Sequence, residues 1–258
     1  MSPSFREAGA GPGVVCLHSN ASSSGQWRGL MDMLASNFRV IAADSYGAGK
    51  SPARPPDTML GDEVALLEPV FSRAGDPFAL VGHSYGGAVA LVAAVTHPER
   101  VRALALYEPT LFALVERETP RDVDGIRRTV VASVEQLKKG DKAAAARSFI
   151  DFWMEPGAYD RMPERNREAI AAAGVDVDEW RKALFGEPTP RDRFARLAIP
   201  VLLLVGKRSP LSSRSVARLL AQTLPRVEVL ELDDCGHMAP VTQPERVNGA
   251  IARFLETT

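Results

Sequence analysis

The stretch LVGHSYGGAVAL, residues 80–91, places a serine between glycines where an apolar run gives way to a run of small residues. The spacing from Gly82 through Ser84 to Gly86 fits G-x-S-x-G, a tight turn between a strand and a helix. Glycines two residues from the serine relieve the crowding of such a turn. The turn would raise the Ser84 hydroxyl beside the first amides of the helix, where an oxyanion can be stabilised. We therefore predict Ser84 as a nucleophile, and the alternative is a glycine-rich turn with an idle serine.

The rest of the chain alternates short apolar runs with helical patterns. Several runs are apolar throughout, which is typical of parallel strands covered by helices on both faces. We predict an α/β fold with a mostly parallel, doubly wound sheet of about six or seven strands. The predicted strands cover 13–18, 38–44, 78–83, 101–107, 200–206 and 226–234, with residues 4–8 as a candidate for one more. The predicted helices lie near 24–36, 60–73, 85–97, 212–223 and 243–256.

This alternation stops between residues 110 and 196, where no strand pattern is found. Helical patterns cover 123–139, 141–154 and 161–173 instead. We predict a helical cap at 110–196, inserted into a core formed by 1–109 and 197–258.

The composition limits the kinds of partner that the protein is expected to bind. The formal net charge of -1 argues against nucleic acid or an acidic membrane, and leaves a small-molecule substrate as the expected partner. Two cysteines in 258 residues do not form a disulfide framework. Without a signal-peptide pattern or a long apolar run, we expect a cytoplasmic protein. The sequence has neither metal-ligand spacings nor a dinucleotide fingerprint, so we predict no metal and no cofactor.

A serine nucleophile needs a base, and the chain has four histidines. His97 follows a predicted helix and reads as a surface residue. His83 lies inside the turn, with its side chain directed away from the serine. His18 ends the first strand and is expected to shape a loop. His237 lies in DDCGHMAP, between the last strand and the last helix, where an α/β protein keeps its site. We predict His237 as the general base, and the alternative is a structural turn residue.

Taken together, five blocks resemble the α/β-hydrolase family over nearly the whole chain. They are VVCLHSNASSSGQW (14–27), AADSYGAGKSP (42–52), VGHSYGG (81–87), the helical segment 110–196, and GHMAPVTQPERVNGAI (236–251). The resemblance implies an oxyanion hole formed by the backbone N–H groups of Tyr85 and Asn20. One departure lies beside that hole, because the family's usual His-Gly pair is His18-Ser19 in this chain.

The position of the acid is a second departure. Family members commonly carry an aspartate three residues after the glycine of GKRSPLSS (206–213), and this chain has Ser209 there. The segment VRALALYEPT ends a strand on Glu108, as in family members with a relocated acid such as some haloalkane dehalogenases. We predict Glu108 as the acid. The rivals are Asp233 and Asp234, or a dyad without a carboxylate.

Ser84 also distinguishes between the reactions that members of the family catalyse. Dehalogenases and epoxide hydrolases of this fold need a carboxylate nucleophile, so the serine disfavours both. It fits acyl transfer to water, with an ester as the expected substrate. Thioesters, lactones, amides and perhydrolysis remain alternatives. A non-catalytic member that binds a small ligand is the competing class, and the missing conventional acid is its support.

We expect the pocket between cap and sheet, lined by apolar side chains that suit a small-to-medium apolar group. The candidates are Trp27, Tyr46, Tyr85, Pro109, Phe149, Phe152, Trp153 and Met238. The alternative for the aromatic residues of 149–153 is that they pack the cap's own core.

Overall fold

The computed structural model describes residues 2–172 and 177–258. Seven strands form a single sheet in the order β1-β3-β2-β4-β5-β6-β7. The β1 strand runs antiparallel to β3, and the other neighbours are parallel. The strands are β1 (Phe5–Ala8), β2 (Gly13–Leu17), β3 (Arg39–Ala43), β4 (Phe78–His83), β5 (Val101–Tyr107), β6 (Val201–Gly206) and β7 (Val227–Leu232). The prediction of a mostly parallel doubly wound sheet is confirmed.

Burial explains the apolar runs of the central strands. Every residue of β2, β4 and β6 is buried, whereas the edge strands β1 and β7 are largely exposed. Helices cover both faces of the sheet, so side chains on either side of a central strand lie away from water. One helix layer contains α1 and α13, which pack on each other, and the other contains α2, α3 and α11. The cavity described below opens at the carboxyl ends of these strands.

The helices are, in chain order, α1 (Arg28–Leu34), α2 (Leu60–Ala74), α3 (Tyr85–Thr96), α4 (Phe112–Glu118), α5 (Asp124–Lys138), α6 (Lys142–Trp153), α7 (Ala158–Arg161), α8 (Glu164–Ala172), α9 (Val177–Gly186), α10 (Arg191–Phe194), α11 (Leu211–Thr223), α12 (Ala239–Thr242) and α13 (Pro244–Glu256). Two 3₁₀ turns precede α1 and α5, at Ser24–Trp27 and Pro120–Val123. None of the helices in the described ranges is long and apolar enough to cross a membrane.

The described chain between β5 and β6 is helical, from α4 to α10. The three predicted helices correspond to α5, α6 and α8, and residue 173 lies outside the described residues. The pattern missed α4, α9 and the short helices α7 and α10, and the four residues of each short helix leave little periodicity to read. The division of the chain at residues 110 and 196 stays a prediction.

Candidate active site

Ser84 occupies the turn between β4 and α3, in a backbone conformation that few non-glycine residues adopt. Its φ is 55° and its ψ is -117°. The two glycines of the motif are required by contact with backbone atoms. A Cβ on Gly82 would lie 2.6 Å from the Gly86 carbonyl oxygen, and a Cβ on Gly86 would lie 2.6 Å from the His18 carbonyl oxygen. The turn therefore brings the end of β2 directly against the first turn of α3.

Glu108 follows the neighbouring strand and lies beside the serine. His83 and Tyr107 are paired at the ends of β4 and β5, so the next residue of each strand lies at the same edge. The Ser84 amide donates to the Tyr107 carbonyl at 3.0 Å. Glu108 is fully buried, has a φ of 42°, and accepts a hydrogen bond from the Gly206 amide at 2.7 Å. The buried carboxylate is thus fixed by a backbone donor of β6.

His237 joins the other two side chains. Its Nε2 lies 2.9 Å from Ser84 Oγ, and its Nδ1 lies 2.7 Å from Glu108 Oε2. All three side chains are buried. Because an ionised carboxylate only accepts, Nδ1 carries the proton and Nε2 is free to accept the serine proton. Ser213, which sequence reasoning missed, adds a hydroxyl 3.3 Å from Nδ1. The arrangement can move a proton from Ser84 to His237 beside a carboxylate.

The rival carboxylates face elsewhere. Asp233 is exposed and forms an ion pair with Lys207 at 2.8 Å. A hydrogen bond from Lys207 and its positive charge hold the pKa of Asp233 below its usual value. The backbone carbonyl of Asp234 accepts from the Gln243 side chain. Ser209, at the position of the family's usual acid, is buried, and its hydroxyl has no hydrogen-bond partner in the described chain. Of these residues, only Glu108 contacts His237.

The loop that carries His237 is attached to the ends of the two central strands. His83 Nε2 donates to the His237 carbonyl at 2.9 Å, and Tyr107 donates its phenolic proton to the Gly236 carbonyl at 2.8 Å. Burial, reinforced by the nearby His237, lowers the pKa of His83 well below its usual value. His83 is therefore neutral and protonated on Nε2. As predicted from the turn, its ring is directed away from Ser84 and supports the loop from below.

The two amides proposed for the oxyanion hole belong to Tyr85, the residue after Ser84, and to Asn20, which lines the same cavity as Ser84. Tyr85 begins α3, so its N–H has no partner within the helix, and Asn20 lies in the loop after β2. Within the described chain, neither amide donates to a protein acceptor. Ser19 strengthens its loop, because its backbone amide and its hydroxyl both donate to Gln26 Oε1, at 3.2 and 3.1 Å. The serine that replaces the usual glycine thus supplies an additional bond.

His18 connects the same loop to the one after β3. Its Nδ1 donates to the Ser19 carbonyl at 2.7 Å, and its Nε2 accepts from the Ser45 amide at 3.1 Å. Burial is the main reason that the pKa of His18 is lowered, which favours the neutral ring that this pair of bonds requires. The prediction that His18 shapes a loop agrees with these contacts.

A buried ion pair beneath the turn was not predicted. Glu63 Oε1 accepts from Arg54 at 2.7 Å and from the Tyr85 hydroxyl at 3.1 Å, while Glu63 Oε2 accepts from the Tyr46 amide at 3.2 Å. The sequence carries a signal for this glutamate, because it lies three residues after Leu60 on the apolar face of α2. The Tyr85 side chain is held in this cluster, away from the cavity, while its backbone amide lies beside Ser84.

A mostly apolar cavity of about 480 Å³, including its open mouth, lies between the helices 112–194 and the strand ends. Ser84 and His237 form part of its wall. Phe149, Trp153 and Met238 line it, as expected from the sequence, together with Asn20. The other described lining residues are Ser19, Thr110, Phe112, Ile126, Val130, Val177, Trp180, Arg181, Leu184 and Phe185.

Five of the eight predicted lining residues lie outside the cavity, namely Tyr85, whose side chain is held by Glu63, and four others. Trp27 is fully buried in the layer of α1 and α13, because the turn before α1 directs it under the sheet. Tyr46 lies in the loop held by Glu63. Pro109 packs against Gly87 of α3, and a Cβ on Gly87 would lie 3.0 Å from Pro109. Phe152 faces α5, where a Cβ on Gly125 would lie 3.4 Å from its ring. Neighbouring aromatic residues on α6 thus point in different directions.

Comparison with known proteins agrees with this geometry. The family model described as alpha/beta hydrolase fold matches residues 12–244. This chain belongs to the α/β-hydrolase family. The match covers most of the sheet, the inserted helices and the histidine loop, and proteins similar to the chain are named as esterases and hydrolases. The chain is accordingly an α/β-hydrolase enzyme.

Three similar proteins illustrate the range of this α/β hydrolase's relatives. The pimeloyl-[acyl-carrier protein] methyl ester esterase of Aeromonas hydrophila is 27% identical, over 99% of this chain and 100% of that protein. The 2-hydroxy-6-oxo-6-(2'-aminophenyl)hexa-2,4-dienoic acid hydrolase of Metapseudomonas resinovorans is 28% identical, over 97% of this chain and 86% of that protein. A solved thermophilic esterase from Thermogutta terrifontis has 26% identity and a TM-score of 0.75, and covers 98% of this chain and 93% of that chain.

Proposed function

We propose that this α/β hydrolase cleaves small-to-medium, mostly apolar carboxylic esters through an acyl-enzyme, with Ser84, His237 and Glu108 as its catalytic residues. The observation that carries the proposal is the continuous hydrogen-bonded chain of these three side chains, of which Ser84 and His237 line an apolar cavity. Such a chain activates a serine that is otherwise a weak nucleophile.

The first half of the reaction forms the acyl-enzyme. Ser84 Oγ attacks the ester carbonyl carbon while His237 Nε2 takes the serine proton. The carbonyl oxygen becomes an oxyanion, and the amides of Tyr85 and Asn20 donate to it. The tetrahedral intermediate then collapses, the bond to the alkoxy oxygen breaks, and His237 gives its proton to the leaving alcohol.

The second half releases the acid. His237 Nε2 removes a proton from water, and the resulting hydroxide attacks the acyl carbon. Collapse of this intermediate returns the proton to Ser84 Oγ. Throughout, Glu108 remains ionised and stabilises the imidazolium, while the Gly206 amide keeps the carboxylate in place.

Apolar side chains of the helices 112–194 define the expected substrate. Among the described residues that line the cavity, Arg181 is the one with a permanent charge, and its guanidinium already binds Asp178 at 2.9 Å. An acyl chain without a charged end fits this environment. Several relatives are named for methyl ester hydrolysis, which supports an ester with a small alcohol group.

A series of p-nitrophenyl esters from acetate to octanoate tests the proposal. We expect a burst of p-nitrophenol followed by steady turnover, because p-nitrophenol is a good leaving group and hydrolysis of the acyl-enzyme then limits the rate. Ser84→Ala should lower kcat by roughly four orders of magnitude or more. A fluorophosphonate should add one phosphonyl group to the wild type, detected by intact mass, and none to Ser84→Ala. Gly61→Ala, on the exposed side of α2, is the control for an unrelated substitution.

The result that would overturn the proposal is a folded protein that neither turns over any ester nor reacts with the fluorophosphonate. That outcome would favour a ligand-binding member of the family. Turnover restricted to lactones or thioesters would keep the catalytic residues and replace the substrate class.

A further inference from the structure

One aromatic side chain of the inserted helices lies on the ring of His237. The indole of Trp153 and the imidazole of His237 are stacked, with centroids 4.1 Å apart and planes inclined by 29°. Hydrogen bonds to Ser84 and Glu108 fix the imidazole at its two nitrogens. These two hydrogen bonds lie in the plane of the imidazole, so they do not support its face. The indole contacts the imidazole on that face.

Other aromatic residues determine where the indole lies. Trp153 ends α6 and is buried. Its ring is nearly parallel to that of Phe112, at 6.4 Å, and meets the rings of Phe149 and Phe152 edge to face, at 6.0 and 4.9 Å. Aromatic pairs in these arrangements are favourable beyond the area they bury. The cap therefore fixes the indole independently of His237.

Trp153 also separates two spaces. It lines the cavity beside Ser84, and together with Met238 it lines an open groove on its other side. The groove has a charged rim formed by Asp151, Glu155, Arg208 and Asp234. Away from the indole, Ser84, Glu108 and Ser213 lie within hydrogen-bond distance of the His237 nitrogens, and the His83 ring lies 5.2 Å from the imidazole centroid. Trp153 thus stacks on the imidazole and also lines an open groove with a charged rim.

We propose that Trp153 is a positioning residue, which holds the His237 imidazole in the plane that aims Nε2 at Ser84 and at the leaving alcohol. This inference rests on the proposed ester hydrolysis. His237 exchanges protons with three different oxygens during one turnover, and a proton moves well only when donor and acceptor are aligned. Because the indole belongs to the inserted helices and the imidazole to the core, this contact makes the cap part of the catalytic arrangement.

The proposal is tested by replacing Trp153 in the full-length protein and comparing each variant with the wild type. We expect Trp153→Leu, which keeps an apolar side chain but loses the flat face, to lower kcat on p-nitrophenyl acetate by about ten- to a hundredfold. Trp153→Phe restores an aromatic face and should recover most of this loss. In the proton NMR spectrum of the free enzyme, the low-field resonance of the His237 Nδ1–H should broaden in Trp153→Leu and sharpen again in Trp153→Phe.

Trp180→Leu is the matched control, because Trp180 lines the same cavity and contacts Phe149 without stacking on His237. It should change KM and acyl-chain preference and leave the Nδ1–H resonance as in the wild type. Circular dichroism checks the fold of each variant. If Trp153→Leu does not fold, the resonance of Trp153→Phe alone tests the positioning role. In that case, we expect Trp153→Phe to show the wild-type resonance, and a broadened resonance would contradict the proposal.

Two failures can be told apart. If wild-type protein hydrolyses esters and loses activity in Ser84→Ala, the proposed function stands. If Trp153→Leu then keeps the wild-type kcat and a sharp Nδ1–H resonance, the positioning role is wrong. If the wild type hydrolyses nothing, the proposed function fails, and the NMR comparison still reports on the indole.

Discussion

Ser84 and Glu108 follow neighbouring strands and lie side by side. Each is a non-glycine residue with a positive φ, 55° for Ser84 and 42° for Glu108. Such conformations are costly for residues with a Cβ and persist where surrounding contacts impose them. The imposing contacts are backbone bonds, since the Thr110 amide donates to the Ser84 carbonyl at 3.2 Å and the Glu108 amide donates to the Leu204 carbonyl at 3.1 Å. The side chains of Ser84 and Glu108 are thus placed by backbone hydrogen bonds at the strand ends.

The smallest change that should disturb this placement is Gly86→Ala. The added methyl would meet the Leu17 and His18 backbone, which belongs to the proposed oxyanion loop. We expect a loss of about 1–3 kcal/mol in the free energy of unfolding, typical of overpacking. We also expect kcat to fall about tenfold or more, because the loop moves away from Ser84.

Urea unfolding and ester hydrolysis measure the two effects. Gly61→Ala is the matched control, because its added Cβ would have no described atom from elsewhere in the fold within 4 Å and the residue lies in a helix. It should leave kcat unchanged and alter the free energy of unfolding by at most about 1 kcal/mol. Equal behaviour of the two variants would contradict the close approach of the loop to α3.

The histidine loop depends on the ends of β4 and β5, which hold the carbonyls of His237 and Gly236. His83 performs this role as a neutral donor, because burial lowers its pKa. In the unfolded chain, the same residue titrates near its ordinary value of about 6.5. Below that pH, the unfolded state binds a proton that the native state rejects, so stability decreases as the pH falls.

His83→Gln isolates this contribution, since the glutamine amide can still donate to the His237 carbonyl. Between pH 7 and pH 5.5, the free energy of unfolding of the variant should decrease by about 1 kcal/mol less than that of the wild type. Urea titrations of both proteins at the two pH values make the comparison, and each protein serves as its own reference. Parallel decreases would show that His83 is not held neutral by the fold.

Prediction of the elements from sequence worked best where burial is complete. The bounds of β4 and β5 agree with the predicted ones because every residue of β4 and all but one residue of β5 are buried, and most of these side chains are apolar. The pattern could not separate the neighbours Phe152 and Trp153, because both are aromatic and lie on adjacent positions of α6. Their different directions follow from packing against α5 and His237, which a single sequence does not contain.

At the scale of the whole molecule, the proposed site joins segments far apart in the chain. Glu108 and His237 are brought together because β5 and the histidine loop share one edge of the sheet. Sequence reasoning could propose Glu108, since a strand end and a missing conventional acid are both readable. It could not find Ser213, the Glu63–Arg54 pair or the stacking of Trp153, because these contacts arise from tertiary packing.

Above all, we propose Glu108 as the acid of a serine ester hydrolase. The most direct measurement is kcat for p-nitrophenyl butyrate in Glu108→Gln and Asp234→Asn, with circular dichroism spectra to check each fold. We predict that Glu108→Gln lowers kcat by about four orders of magnitude with the fold retained. Asp234→Asn should remain within a few-fold of the wild type. A nearly unchanged kcat in Glu108→Gln, with a large loss in Asp234→Asn, would contradict the account.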